Sequence, residues 1–138
     1  MKTIKILLVA MLLLSSISSF SVSIYTESKA VAVANGYTIA TEMYGDLVKS
    51  DYVYNWRQFY ADTEYLIFAC SDDADVTDVD IYIENPNGSI FLQDNDSHRS
   101  AVVSFELYDP IQLKIVVFNH ATLTPNYASR IQYFVAFK

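Results

Sequence analysis

"VDIYIENPNGSIFLQD", residues 79–94, decides the fold. Val79, Ile81 and Ile83 alternate with Asp80, Tyr82 and Glu84. A period of two puts the three apolar side chains on one face of a strand and the polar ones on the other. Asn85-Pro86-Asn87-Gly88 follows, with Pro where its fixed φ suits a turn and Gly where φ can become positive. "SIFLQD" (89–94) then returns as a second strand. The segment therefore predicts an antiparallel hairpin with one face in a core.

The same grammar extends in both directions. "VYNWRQFY" (53–60) is rich in aromatic residues, and "EYLIFACS" (64–71) is a nearly continuous apolar run that suits a central strand. "AVVSFEL" (101–107), "IQLKIVVFN" (111–119) and "ASRIQYFVAF" (128–137) supply further strands, separated by Asp109-Pro110 and Thr124-Pro125-Asn126. "YTIATEMY" (37–44) predicts one more strand, and "TESKAVAVAN" (26–35) a short helix stopped by Gly36. Many short strands separated by turns predict an all-β fold, an antiparallel sandwich, from about residue 37 onward. Val79, Ile81, Ile83, Val103, Phe105, Ile115 and Val117 are the expected inward residues.

The N-terminus predicts export. Lys2 and Lys5 precede the apolar run Ile6–Leu14, and a serine-rich segment follows. That is the order of a secretory signal peptide over 1–23, and its apolar run is too short for a membrane anchor. Ser21 and Ser23 offer small residues before a cut that leaves Ile24 first; cuts after Ser18 or Ser21 are alternatives. Segment 24–36 then leads into a domain over 37–138, whose expected location is the periplasm, the cell surface or the extracellular space. Losing Lys2 and Lys5 takes the formal charge from −7 to −9. An acidic exported chain has no electrostatic reason to bind nucleic acid or anionic lipid. Cys70 is the only cysteine, so no intramolecular disulfide forms.

Two groups of residues carry chemistry. Between Asp72 and Asp96 stand seven Asp and one Glu, with no Lys or Arg. Asp78 and Asp80 are two apart on a predicted strand, Asp94 and Asp96 end its hairpin partner, and Asp73 and Asp75 lie in the adjoining loop. Hard oxygen donors without His or Cys suit Ca²⁺. The alternative is a solvated acidic rim that discourages edge pairing. The second group is Tyr52, Tyr54 and Trp56, which alternate onto one strand face. Aromatic residues are the usual filling of a sandwich core, so the expectation is burial, with Trp56→Ala costing about 3–5 kcal/mol. If exposed, the same stripe offers a platform for sugar rings or a protein partner. No nucleophile elbow surrounds Ser97 or Ser100, and His98 and His120 read as loop residues, so the chain is not expected to be an enzyme.

The run "DVDIYI", a Gly turn and "SIFLQDND", preceded by "ADTEYLIFA" and closed by "YFVAF", resembles the bacterial pre-peptidase C-terminal (PPC) domain. It departs from that pattern at "YDPIQLKI" (108–115), where the family has Gly-x-Tyr, and in lacking the Gly of the turn before the strand at residue 64. The resemblance implies a jelly-roll-like β-sandwich that is exported and non-catalytic. It also implies calcium binding in some members and assistance in binding matrix or polysaccharide in others. The functional expectation is a secreted binding or accessory module for extracellular polysaccharide or protein. The alternative is a structural subunit of an envelope or surface assembly.

Overall fold

The computed structural model describes residues 23–138. The expected signal peptide falls, apart from Ser23, outside the described residues. One helix, α1 (Ile24–Ala34), precedes eight strands: β1 (Thr38–Leu47), β2 (Tyr52–Phe59), β3 (Glu64–Cys70), β4 (Val76–Glu84), β5 (Ile90–Asp94), β6 (Ser100–Glu106), β7 (Ile111–Thr122) and β8 (Ser129–Phe137). They form two four-stranded antiparallel sheets: β1-β8-β3-β6 is the first, and β2-β7-β4-β5 the second. The predicted all-β sandwich is present.

The hairpin over residues 79–94 stands as expected. Ile83 pairs with Leu92 and Ile81 with Asp94 across β4 and β5. Gly88 takes φ +83° in the turn, and its N–H donates to the Asn85 carbonyl at 2.9 Å. All seven predicted inward residues are buried between the sheets. Rings cluster around Phe105, with centroids of Phe59, Tyr65 and Phe91 at 5.2, 5.6 and 5.7 Å.

Helix α1 explains why β3 reads as continuously apolar. Tyr65, Ile67 and Ala69 face the second sheet, whereas Leu66, Phe68 and Cys70 point the other way. On that outer face Tyr25, Ala32 and Tyr37, at and beyond the ends of the helix, pack on Leu66, Phe68, Phe134 and Ala136. The Ser23 hydroxyl caps α1 by accepting from the Thr26 N–H, and Glu27 lies in the first turn, where the helix dipole favours an acid. Asp72 accepts from the Ser23 hydroxyl and, at 2.7 Å, from the Ile24 N–H, which ties the helix start to the end of β3. Gly36, at φ +88°, turns the chain into β1. Burial under the helix pushes the Cys70 thiol up to about 12, so it stays protonated and unreactive at neutral pH.

The second sheet has no such cover. On its outer face Tyr52, Tyr54 and Trp56 of β2 are exposed, beside the buried Val116 of β7 and Asp80 of β4.

Candidate binding face

Parity decides what β2 displays. Phe59 is fully buried, so Val53, Asn55 and Arg57 share its inward side, and Tyr52, Tyr54, Trp56 and Gln58 point out. Tyr52, Tyr54 and Trp56 are 50%, 57% and 43% exposed. The expectation that this stripe fills the core is therefore corrected. The physical reason is position: β2 is an edge strand, its inward side is supplied by the smaller set Val53 to Phe59, and its aromatic side faces away from the first sheet.

Cross-strand pairing widens the stripe into a face. Tyr52 pairs with Phe118, Tyr54 with Val116 and Trp56 with Lys114. On the other side of β7, Phe118 pairs with Asp80, Val116 with Tyr82 and Lys114 with Glu84. The rings of Tyr52 and Phe118 stack at 6.4 Å with planes 26° apart, and Tyr54 lies 6.4 Å from Tyr52. The Lys114 ammonium sits 5.0 Å from the centre of the Tyr54 ring and 3.0 Å from the Glu84 carboxylate. The result is a shallow aromatic surface bordered by amides, hydroxyls and a fixed charge pair. Such a surface stacks on apolar ring faces while offering hydrogen bonds at its margins.

At one end of this face the acidic residues divide into three groups. Asp73 accepts from the Asp75 N–H at 2.9 Å, and Asp75 holds the β7–β8 loop through the Thr124 hydroxyl at 2.8 Å and the Thr124 N–H at 3.3 Å. Asp94 accepts from the Val102 N–H at 2.8 Å, and Asp96 from His98 at 2.7 Å, which raises the pKa of that imidazole. Asp78 and Asp80 form the third group. Asp80 is 2% exposed; its Oδ2 meets the Tyr82 hydroxyl at 3.1 Å and His120 Nδ1 at 3.2 Å. Asp80 Oδ1 and Asp78 Oδ1 are buried without a hydrogen-bond partner. Among the described residues no three His, Cys, Asp or Glu side chains are arranged to hold a metal ion. Asp78 and Asp80 are thus the two of the six whose carboxylates each keep a buried oxygen without a partner. The carboxylates of Asp73, Asp75, Asp94 and Asp96 accept hydrogen bonds from protein groups.

Burial is the main force on Asp80, and it pushes the carboxyl above its ordinary range. The Tyr82 hydrogen bond opposes this, Asp78 reinforces it, His120 opposes it, and Asp94 reinforces it. A carboxyl whose folded pKa lies above its unfolded value penalises the folded state when ionised. The penalty is present at neutral pH and fades as pH falls through the folded value toward about 3.9. Asp80→Asn keeps the shape and removes the charge. In chelator at pH 7 it should stabilise the protein by about 1 kcal/mol, the scale of an unsatisfied buried polar group. The gain should shrink as the melt is repeated down to about pH 4. A lower melting temperature for Asp80→Asn at pH 7 would show that the carboxylate is satisfied after all.

His98 turns to Asp96 and His120 to Asp80, and neither Ser97 nor Ser100 is hydrogen-bonded to either ring. No helix among the described residues is long and apolar enough to cross a membrane. No family model matches the chain, and no curated protein sequence does.

Proposed function

We propose that the chain is an exported, non-catalytic binding module that engages extracellular polysaccharide through the open face of its second sheet. One observation carries the reading: Tyr52, Tyr54 and Trp56 stand exposed in a row on a sheet face, whereas the corresponding face of the first sheet is covered by α1. Exposed aromatic side chains contribute nothing to a core, and a contiguous exposed aromatic patch marks an interaction surface. The flatness of a sheet face favours a chain of rings over a small ligand enclosed in a cavity.

The strand orders support the jelly-roll-like expectation. Successive strands cross between sheets at every connection except β4–β5. That wrapping, with the PPC-like motif, supports an exported accessory domain. A calcium ion at Asp78 and Asp80 fits as a stabilising element of the same domain. Bound there, it would neutralise the two orphan oxygens and raise stability by about 2.7 kcal/mol at a hundredfold excess over its dissociation constant. Millimolar Ca²⁺ should raise the melting temperature of the wild type and leave that of Asp80→Asn in place.

Trp56 is the only tryptophan, so its fluorescence reports on the face directly. Titration with soluble polysaccharides, paired with retention on insoluble ones, should give a saturable change in Trp56 emission for at least one of them. An unresponsive Trp56 and no retention across cellulose, xylan, chitin, mannan and pectin overturn the reading. A calcium-independent large oligomer on size-exclusion chromatography would then favour a subunit of a surface assembly.

A further inference from the structure

The edge strands β1, β6, β2 and β5 are not equally protected. An edge strand exposes unpaired N–H and C=O groups, and folded proteins blunt it with charged side chains, bulges or short length. β1 carries Glu42 and Asp46, and its pairing with β8 slips between Ile39 and Thr41. β5 has five residues and ends in Asp94. β6 carries Glu106, and the Asp94 carboxylate takes its Val102 N–H. β2 has none of these devices. Its eight residues pair with β7 without a register break, and they include no Asp, Glu, Lys, Pro or Gly. Its one charge, Arg57, lies on the inward side and donates to the Thr41 hydroxyl of β1.

Backbone parity fixes which groups β2 turns outward. The Asp51 carbonyl accepts from the Asn119 N–H at 2.9 Å, so it faces β7. Peptide groups alternate sides along a strand, so Val53, Asn55, Arg57 and Phe59 also direct theirs to β7. Tyr52, Tyr54, Trp56 and Gln58 direct theirs to the open edge. The Tyr52 N–H is taken by the Asp51 carboxylate at 2.9 Å. Tyr54, Trp56 and Gln58 remain, and among the described residues no strand lies beyond them. Trp56 is the middle of these positions.

We infer that β2 is the contact by which two copies of this chain pair, antiparallel and about a two-fold axis at Trp56. Tyr54 then meets the partner's Gln58, and Trp56 meets the partner's Trp56, so one register satisfies all the open positions on both copies. Charge selects β2 for a second copy. Acids would meet acids across β1, β5 or β6 in a chain of net charge −7, whereas β2 brings none. The adjacent Glu42 and Asp46 of β1 are already paired, with Lys29 and Arg130. The outward side chains match as well, since aromatic residues opposed across strands stabilise pairing. The assembly closes at two copies, because each β2 is used once and the two second sheets merge into one. Pairing through the edge leaves the outer face uncovered and sets the aromatic rows of the two copies side by side. It does not depend on what that face binds.

Sedimentation of the mature chain over a rising concentration series tests this. The wild type should pass from one chain to two and stop there. Trp56→Glu and Trp56→Lys should each weaken the dimer by about tenfold or more, because like charges then face each other across the axis. Mixed in equal amounts, the two variants should recover a dimer, since the axis then holds one carboxylate and one ammonium. Gln58→Pro removes an N–H that β7 does not use, so it should weaken the dimer and leave the melt near that of the wild type. A wild type that stays single at its highest soluble concentration, or that grows past two, overturns the inference. A charge mixture no more dimeric than its components overturns the axis at Trp56. The wild-type series decides the matter even if a variant does not fold.

Discussion

Phe105→Ala is expected to cost about 3–5 kcal/mol, the largest stability loss of any single truncation proposed for this chain. The residue is fully buried, and three other rings meet it between the sheets: Phe59 at 5.2 Å, Tyr65 at 5.6 Å and Phe91 at 5.7 Å. Those rings come from β2, β3 and β5, so the cavity would open at a point where both sheets lose contact. Partial collapse is hindered because Phe59 also packs edge-on against Tyr65 at 4.8 Å, which fixes both rings. A domain of this size has a total stability of about 5–15 kcal/mol, so the loss takes much of the margin. Urea melts of Phe105→Ala and of Tyr108→Ala, an exposed control at 58%, should separate by several kcal/mol. A difference under about 1 kcal/mol would mean that the rings around Phe105 do not form the core.

The parts of the fold that were legible in sequence share one property: local alternation fixed them without knowledge of neighbours. Val79, Ile81 and Ile83 had to face one way, and the Asn85–Gly88 turn had to reverse the chain. The continuous run at residues 64–71 was equally informative, since a strand buried on both faces needs layers on both sides, and α1 supplies the second.

What could not be read needed knowledge of which strand lies at an edge and where alternation resets. Tyr52, Tyr54 and Trp56 were correctly placed on one face, but sequence does not say that this face is the uncovered one. Phe59 held the only local clue, because its inward position sets the parity of the whole strand. The way the acidic residues divide could not be read for a related reason. Val76 and Val79 are both fully buried although three residues apart, so alternation resets around Thr77 and Asp78, where the pairing with β7 shifts twice. Six carboxylates that look contiguous in sequence therefore disperse, with Asp75 reaching the β7–β8 loop and Asp94 reaching β6.

Replacing the aromatic row separates the two roles that the sequence left open. Trp56→Ala should change the melting free energy by well under the 3–5 kcal/mol of a buried ring, because Trp56 is 43% exposed and its neighbours on the face are Tyr54 and Lys114. The same substitution should weaken binding to the responsive polysaccharide by about 2 kcal/mol or more, the scale of an aromatic hot spot, which is at least about thirtyfold in dissociation constant. Tyr54→Ala should act in the same direction and less strongly, since Lys114 then loses the ring beneath it but keeps Glu84. The two losses should not add, because the side chains are neighbours on one strand face and bind the same ligand. Tyr44, exposed at 64% on the first sheet, is the control: Tyr44→Ala should leave both melt and affinity in place. A Trp56→Ala protein that unfolds easily yet binds as tightly as the wild type when folded would return the row to the core and remove the ligand face.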